Sequence, residues 1–505
     1  MFEQVKFKGR IVLLVAVLIE CILHYDMKNI YGCVVALYGW WLFENVVFKR
    51  NNFKTHFIPT LAVAGYIIMY FFLPIIVTLI ENKPLTFNFE NPFLLWNNML
   101  INISVIVAAY YLNLQINNNI LTGLWERIGF FKAPTQRQIM FIGVIGLIAI
   151  LFNVFIQTNQ GDFDDMQKNA TGGFSFQIVK ILEGYAFIPL CLLFPDLYNY
   201  KRSVVKWPAL VFLGVIIIVS IASTRRSLIF LPIFSIFLLF IYYSLLKNKV
   251  LISKKKFFIS VVTFFVLSGP ITDLAAAMSL NRHNLNSLST FESVIKLYND
   301  KERLHSMYQA LSAFAGKGDN NNEGWSEYYV DNIFLDRFCN LRVQDATLFY
   351  ANHLGYDFEG MHEFAKDFII IRLPTFVTNA LGEKKISRTS PADYMTETYF
   401  HYRNHFLGQR VGGDIGIGLC WLGYKYYFVS FIIYFVVFFF LSSLTLARLS
   451  KTVIPVYVMA KSASYFMYFS NSIGIFSSIN LLMRDGVQNI VIYCVILFFV
   501  TRIIK

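Results

Sequence analysis

Charge is what this sequence has least of. Asp, Glu, Lys and Arg supply 15% of its 505 residues, where a soluble domain carries about 25%. That argues against a soluble protein, which at this length would be split into several domains. Cysteine is also sparse and unpatterned. The six Cys form no CxxC pair, and apart from Cys339 they lie in locally apolar sequence. This excludes a disulfide framework and a thiolate zinc knuckle. There is no Walker sequence, no GxGxxG after a strand and no GxSxG, so nucleotide-loop and serine-hydrolase chemistry have no foothold. The sequon NATG (169–172) is too common by chance to carry weight.

Apolar surface is what the sequence has in quantity. Hydrophobic residues make up 56% of it, with 52 Phe and 29 Tyr, and the mean hydropathy is +0.53. Stretches long enough to cross a bilayer recur near 10–25, 30–48, 57–80, 95–115, 139–157, 176–196, 206–222, 227–246, 257–279, 425–447, 453–472 and 486–503. The 453–472 stretch is Ser-rich and Gly-interrupted and is expected to be broken or re-entrant. The start MFEQVKFKGR runs into apolar residues without a small-residue cleavage site, so it reads as a signal anchor. The net charge of +13 belongs to short connecting loops. No basic run sits in a polar domain, so no nucleic-acid partner is expected.

Those loops alternate. One set carries Lys6, Lys8 and Arg10; Lys49, Arg50 and Lys54; Arg127, Lys132 and Arg137; Lys201, Arg202 and Lys206; Lys247, Lys249 and Lys254 to Lys256; Arg448 and Lys451; Arg502 and Lys505. The other set of short gaps holds fewer: Lys28, Lys83, Lys168, the pair Arg225 and Arg226, and Arg484. By the positive-inside rule both termini are expected in the cytoplasm. The expectation is an all-α, polytopic membrane protein of about 12 transmembrane helices, with a large, mainly helical external (periplasmic) loop. It divides into an N-terminal bundle of about nine spans (1–279), a loop or cap (280–424) and a C-terminal segment of about three spans (425–505). Within the cap, 289–315 has helical spacing. On the cytoplasmic side, 116–138 reads as an interfacial helix anchored by Trp125 and Phe131.

Six of the eight His fall in the large loop: His283, His305, His353, His362, His401 and His405. Polar residues collect where water is, and an external active site would concentrate titratable groups in the same way. The densest cluster, 397–418, holds Glu397, His401, Arg403, His405, Arg410 and Asp414. On a helix, Glu397, His401 and His405 stack on one face, giving acid/base groups with arginines beside them. The spacing is not HExxH and no separate ligand is evident, so no metal is expected. In STRRSLIF, Arg225 and Arg226 form a tight outward turn with no acidic neighbour of its own. Guanidinium there calls for an anion, and a lipid diphosphate fits it; headgroup contact is the plainer alternative. Arg282 and His283 follow the ninth span, about two turns after the apolar-flanked Asp273, and Arg484 and Asp485 precede the last one.

The many spans, the Phe-rich composition and one long late external loop resemble the Wzy-type O-antigen polymerases, the oligosaccharide repeat-unit polymerases. Locally, the external arginines of STRRSLIF and the Gly-rich exit GQRVGGDIGIGLCWLGYKYYF carry the resemblance. The chain departs from many members in having only a short earlier external segment (158–175). The resemblance implies an enzyme of the bacterial inner membrane that joins glycans carried on undecaprenyl diphosphate. It implies neither a cofactor nor a metal. Arg225, Arg226, Arg282, Arg403 and Arg410 would hold the diphosphate, and Glu397, His401, His405 or His283 would be the general base. Membrane lipids, a chain-length regulator and a flippase are the further partners implied. An O-antigen ligase using the same donor, and a lipid-linked oligosaccharide flippase or transporter, remain alternative readings.

Overall fold

Backbone polar groups inside a bilayer have no water to bond, so an apolar stretch must close its hydrogen bonds within itself. The computed structural model describes residues 2–116, 119–159, 174–200, 204–223, 225, 227–247, 287–304, 341–373, 375–386, 390–400, 412–448, 451–469 and 474–504, with single positions among 270–280 and 306–339. It is almost entirely helical. Among the described residues the strands are those of one two-stranded ribbon, Leu446–Arg448 with Lys451–Val453.

Among the described residues seven helices are long and apolar enough to cross a membrane: Met27–Val47, Phe57–Ile80, Pro92–Leu114, Gln136–Asn153, Ser227–Lys247, Asp414–Ser442 and Gly474–Ile503. Trp207–Ala222 is apolar but shorter. The other expected spans differ for identifiable reasons. Most of the stretch 10–25 lies in Phe2–Leu23, a helix loaded with Glu3, Lys6, Lys8, Arg10 and Glu20. The stretch 176–196 leaves the α-helix after Glu183 and continues as a 3-10 helix containing Pro189, which removes a backbone donor. The stretch 453–472 is broken into Val456–Ala460 and Ser462–Phe466, as its composition suggested. The stretch 257–279 lies largely outside the described residues.

The chain forms two compact units. The first contains 1–127, 327–452 and 465–491. At its centre the Phe57–Ile67 helix is buried along its whole length. Thr60 Oγ1 bonds the hydroxyl of Tyr110 at 2.8 Å. A one-turn π-helix, Ile68–Phe72, precedes Pro74; proline removes an N–H and crowds the carbonyl four residues earlier, and the wider turn relieves this. A Cβ on Gly65 would lie 1.8 Å from the carbonyl oxygen of Phe466, so only glycine lets these backbones meet. Gly65→Val is expected to cost at least about 2 kcal/mol, read as a lower melting temperature in detergent.

Trp125 is not the interfacial anchor expected from the sequence. It is 5% exposed, and its Nε1 donates to Ser443 Oγ at 2.7 Å. The polar segment is tied to the span side of the same unit by a buried charge cluster. Arg342, 0% exposed, donates to Asp345 Oδ2 and Glu90 Oε1, each at 2.8 Å. Asp345 also accepts the amides of Glu90 at 2.7 Å and Asn91 at 3.1 Å. Asn91 in turn caps the Pro92–Leu114 helix, its side chain accepting from the amide of Leu94, with Pro92 at the first helical position.

The second unit contains 128–326, 453–464 and 492–505. Its Gln136–Asn159 helix packs on the 3-10 segment Gly184–Leu193, and a Cβ on Gly146 would lie 2.1 Å from the amide nitrogen of Ala186. Tyr185, Tyr457 and Tyr493 form an aromatic cluster. Of the helix expected over 289–315, the part to residue 299 is present in Ser287–Asn299, whose Val294 and Leu297 pack with Ala276, Ala277, Met278 and Leu304; residues 305 and 308–315 lie outside the described residues.

Candidate functional site

Of the expected site residues, Arg226, Arg282, His283, His401, Arg403, His405 and Arg410 lie outside the described residues. Glu397 and Arg225 are described. Glu397 is half-buried in the Pro391–Phe400 helix. That helix starts on a capping box: Ser390 Oγ donates to Asp393 Oδ2 at 2.6 Å and accepts from the Asp393 amide at 3.1 Å, with Pro391 at the first helical position.

Arg225 lies in the second unit. Its turn is closed by the Ser220 hydroxyl, which donates to the Arg225 carbonyl at 2.6 Å. The acidic neighbour missing from that turn is supplied by another element. Arg225 Nη1 donates to Glu183 Oε1 at 3.0 Å, and both side chains are about a fifth exposed. The same oxygen accepts from Asn153 Nδ2 at 2.5 Å. In the sequence Glu183 is marked only as a carboxylate within the apolar stretch 176–196. In the same unit Asp273 lies 3.7 Å from Lys301 Nζ.

In the first unit Asp414, expected with the 397–418 cluster, is buried and serves a different purpose. Its Oδ1 accepts the amide of Ile475 at 2.9 Å and its Oδ2 the hydroxyl of Tyr434 at 2.5 Å. It thus caps, from a distance, the first turn of the Gly474–Asn480 helix. Nearby, Asp485 accepts from Asn480 Nδ2 at 2.6 Å, and Arg484 Nε donates to Gln488 at 3.3 Å.

The arginine that stands out is Arg372, at the end of the Glu359–Arg372 helix. Its guanidinium lies 3.2 Å from the ring centroid of Phe368. Nη1 donates to the Phe368 carbonyl at 2.9 Å and Nε to Asn480 Oδ1 at 3.0 Å. Among the described residues no carboxylate forms an ion pair with it. Burial lowers its pKa to about 10; Asp485 opposes that shift and Arg484 adds to it. The cation is therefore fixed on one face and one edge, partly stripped of water, and beside a second arginine. Arg484 and Asp485 belong to the one-turn π-helix Leu481–Asp485 of the last apolar helix, and such turns recur at functional sites. A guanidinium so placed keeps further N–H groups able to bind an oxyanion.

The same unit has an apolar groove of about 840 Å³ among the Met27–Leu42, Pro92–Leu114 and Tyr426–Ser442 helices, walled by Tyr31, Tyr38, Tyr427 and Phe431 with Ser104 and Ala108 between them. Its lining has the chemistry of a lipid tail. Compared with known proteins, the chain matches no family model, no curated protein and no solved structure.

Proposed function

We propose that the protein polymerises oligosaccharide repeat units carried on undecaprenyl diphosphate, building O-antigen or a related surface polysaccharide on the outer face of the bacterial inner membrane. The observation that carries the reading is Arg372, a preorganised cation beside a membrane-spanning helix with no carboxylate pairing it among the described residues. The apolar groove of the same unit supports it, because a diphosphate on a long hydrocarbon needs both environments. With both termini cytoplasmic, as the loop charges suggest, the 280–424 segment faces the periplasm.

In the reaction, a hydroxyl oxygen of the acceptor unit attacks the anomeric carbon of the growing chain. The bond from that carbon to the diphosphate oxygen breaks, and undecaprenyl diphosphate leaves with the bonding pair. The hydroxyl proton passes to a general base. Arg372 meets the charge that develops on the diphosphate. No nucleotide sugar takes part.

A gene knockout in the native host tests the reading on a gel of the surface polysaccharide. The expected pattern is lipid A core bearing a single repeat unit, with the ladder restored by the wild-type gene. An intact ladder in the knockout overturns the reading for that polymer, and loss of every repeat replaces it with the ligase or the flippase.

A further inference from the structure

A second cleft in the first unit has a different chemistry. Its volume is about 510 Å³, and Trp421, Ile369, Lys366, Glu383 and His362 border it. The indole of Trp421 stacks on Phe476 at 4.9 Å between centroids, which fixes the ring at the cleft wall. Lys366 Nζ and Glu383 Oε1 pair at 2.8 Å on the rim. One aromatic wall with a rim of charged hydrogen-bonding groups suits a sugar ring, whose C–H faces stack and whose hydroxyls bond at the edges.

His362 stands at this cleft with a carboxylate behind it. Its Nε2 lies 2.7 Å from Asp357 Oδ1. Asp357 sits at φ +64°, a left-handed conformation uncommon outside glycine and of the kind that gathers at functional sites. The conformation is held in place by the amides of Asp357 and Phe358, which donate to the carbonyls of Leu419 at 3.2 Å and Cys420 at 2.8 Å. Lys425 Nζ lies 3.7 Å from the other carboxylate oxygen. The bond from His362, with Lys425 adding to it, holds the Asp357 carboxyl below the usual carboxylate range. An ionised carboxylate at Nε2 keeps the proton on that nitrogen and leaves Nδ1 as the basic one.

We infer that this cleft seats the terminal sugar of the acceptor unit, with Trp421 as its stacking surface and His362 Nδ1 as the base that takes the attacking hydroxyl's proton. The inference rests on the polymerase reading and adds the acceptor side to it. As the acceptor oxygen bonds to the anomeric carbon, its proton moves to Nδ1. Asp357 stabilises the imidazolium, which returns the proton to water once the diphosphate has left. The charged groups at the cleft and behind the imidazole are Asp357, Lys425 paired with it, and the Lys366–Glu383 pair on the rim.

The test uses the full chain reconstituted in liposomes, with the lipid-linked single repeat varied at a fixed concentration of lipid-linked polymer. Trp421→Ala is expected to raise the KM for the single repeat about tenfold with kcat little changed, and Trp421→Phe to recover most of the loss. His362→Gln is expected to lower kcat by about 10²-fold. Asp357→Asn is expected to fall between. Melting temperatures within a few degrees of wild type separate these effects from misfolding, since His362 is 44% exposed. A His362→Gln enzyme with wild-type kcat, or a Trp421→Ala enzyme with unchanged KM, overturns the inference while the polymerase reading stands. A wild-type protein that joins no repeats overturns both.

Discussion

Arg372→Ala is expected to lower the polymerisation rate by on the order of 10²–10³-fold, the usual loss when one preorganised charge stabiliser is removed. The side chain is held by stacking on Phe368 and by Asn480, so on the polymerase reading it would meet the developing diphosphate charge without first being ordered. The loss should fall on kcat, because the extra charge exists only as the anomeric bond breaks. Arg372→Lys keeps the charge but loses the fork and the stacked plane, and is expected to recover a small part of the rate. Asn480 acts through Arg372 as a positioning residue. Asn480→Ala should lower kcat less than Arg372→Ala, and the double variant should be no worse than Arg372→Ala alone. Rates with purified lipid-linked repeat units check all three.

Arg342→Ala is expected to destabilise the first unit by about 3–5 kcal/mol, the cost of leaving a buried ion without its partner. Asp345 is 1% exposed. It keeps the amides of Glu90 and Asn91 but loses its only guanidinium among the described residues, and Glu90 loses the same partner. Burial already pushes the Asp345 carboxyl up, so the variant should be rescued as the pH falls and that carboxyl takes a proton. The melting temperature of Arg342→Ala is therefore expected to rise from pH 7 towards pH 5, closing part of the gap to wild type. Replacing Arg342 by Met and Asp345 by Asn together should cost less than Arg342→Ala, because the uncompensated charge goes while a carbonyl oxygen remains for an amide of Glu90 or Asn91.

The membrane character of the chain was legible because it depends on local composition. Seven apolar stretches became helices near their expected places, with limits moved where a proline or a glycine intervened. The break in 453–472 was legible from its Ser and Gly content. The early end of the Tyr426–Ser442 helix and the ribbon that follows were not, since TLARLSKTV carries no strong turn signal.

The candidate site was less legible because its residues meet across the chain. Arg372 closes the apolar run DFIIIR and looks like an ordinary helix end. Its setting depends on Asn480, 108 positions later. Arg225 was read as unpaired because no acid lies in its turn, and Glu183, 42 positions earlier, answers it. Asp414 was grouped with the histidines by proximity in sequence, but its bonds run to Ile475 and Tyr434. His362 was one of six loop histidines with nothing to single it out. The left-handed turn that brings Asp357 to it is foreshadowed only by the sequence GYD at 355–357.

The measurement that bears most directly on the account is reconstitution of the purified full chain in liposomes with undecaprenyl-diphosphate-linked repeat units and no nucleotide sugar, followed by mass spectrometry of glycan and lipid. The account predicts products lengthened by whole repeats, with one undecaprenyl diphosphate released per linkage and both signals nearly lost in Arg372→Ala. Lipid-linked repeats that stay at their starting length, or that are consumed only when lipid A core is added, would contradict it.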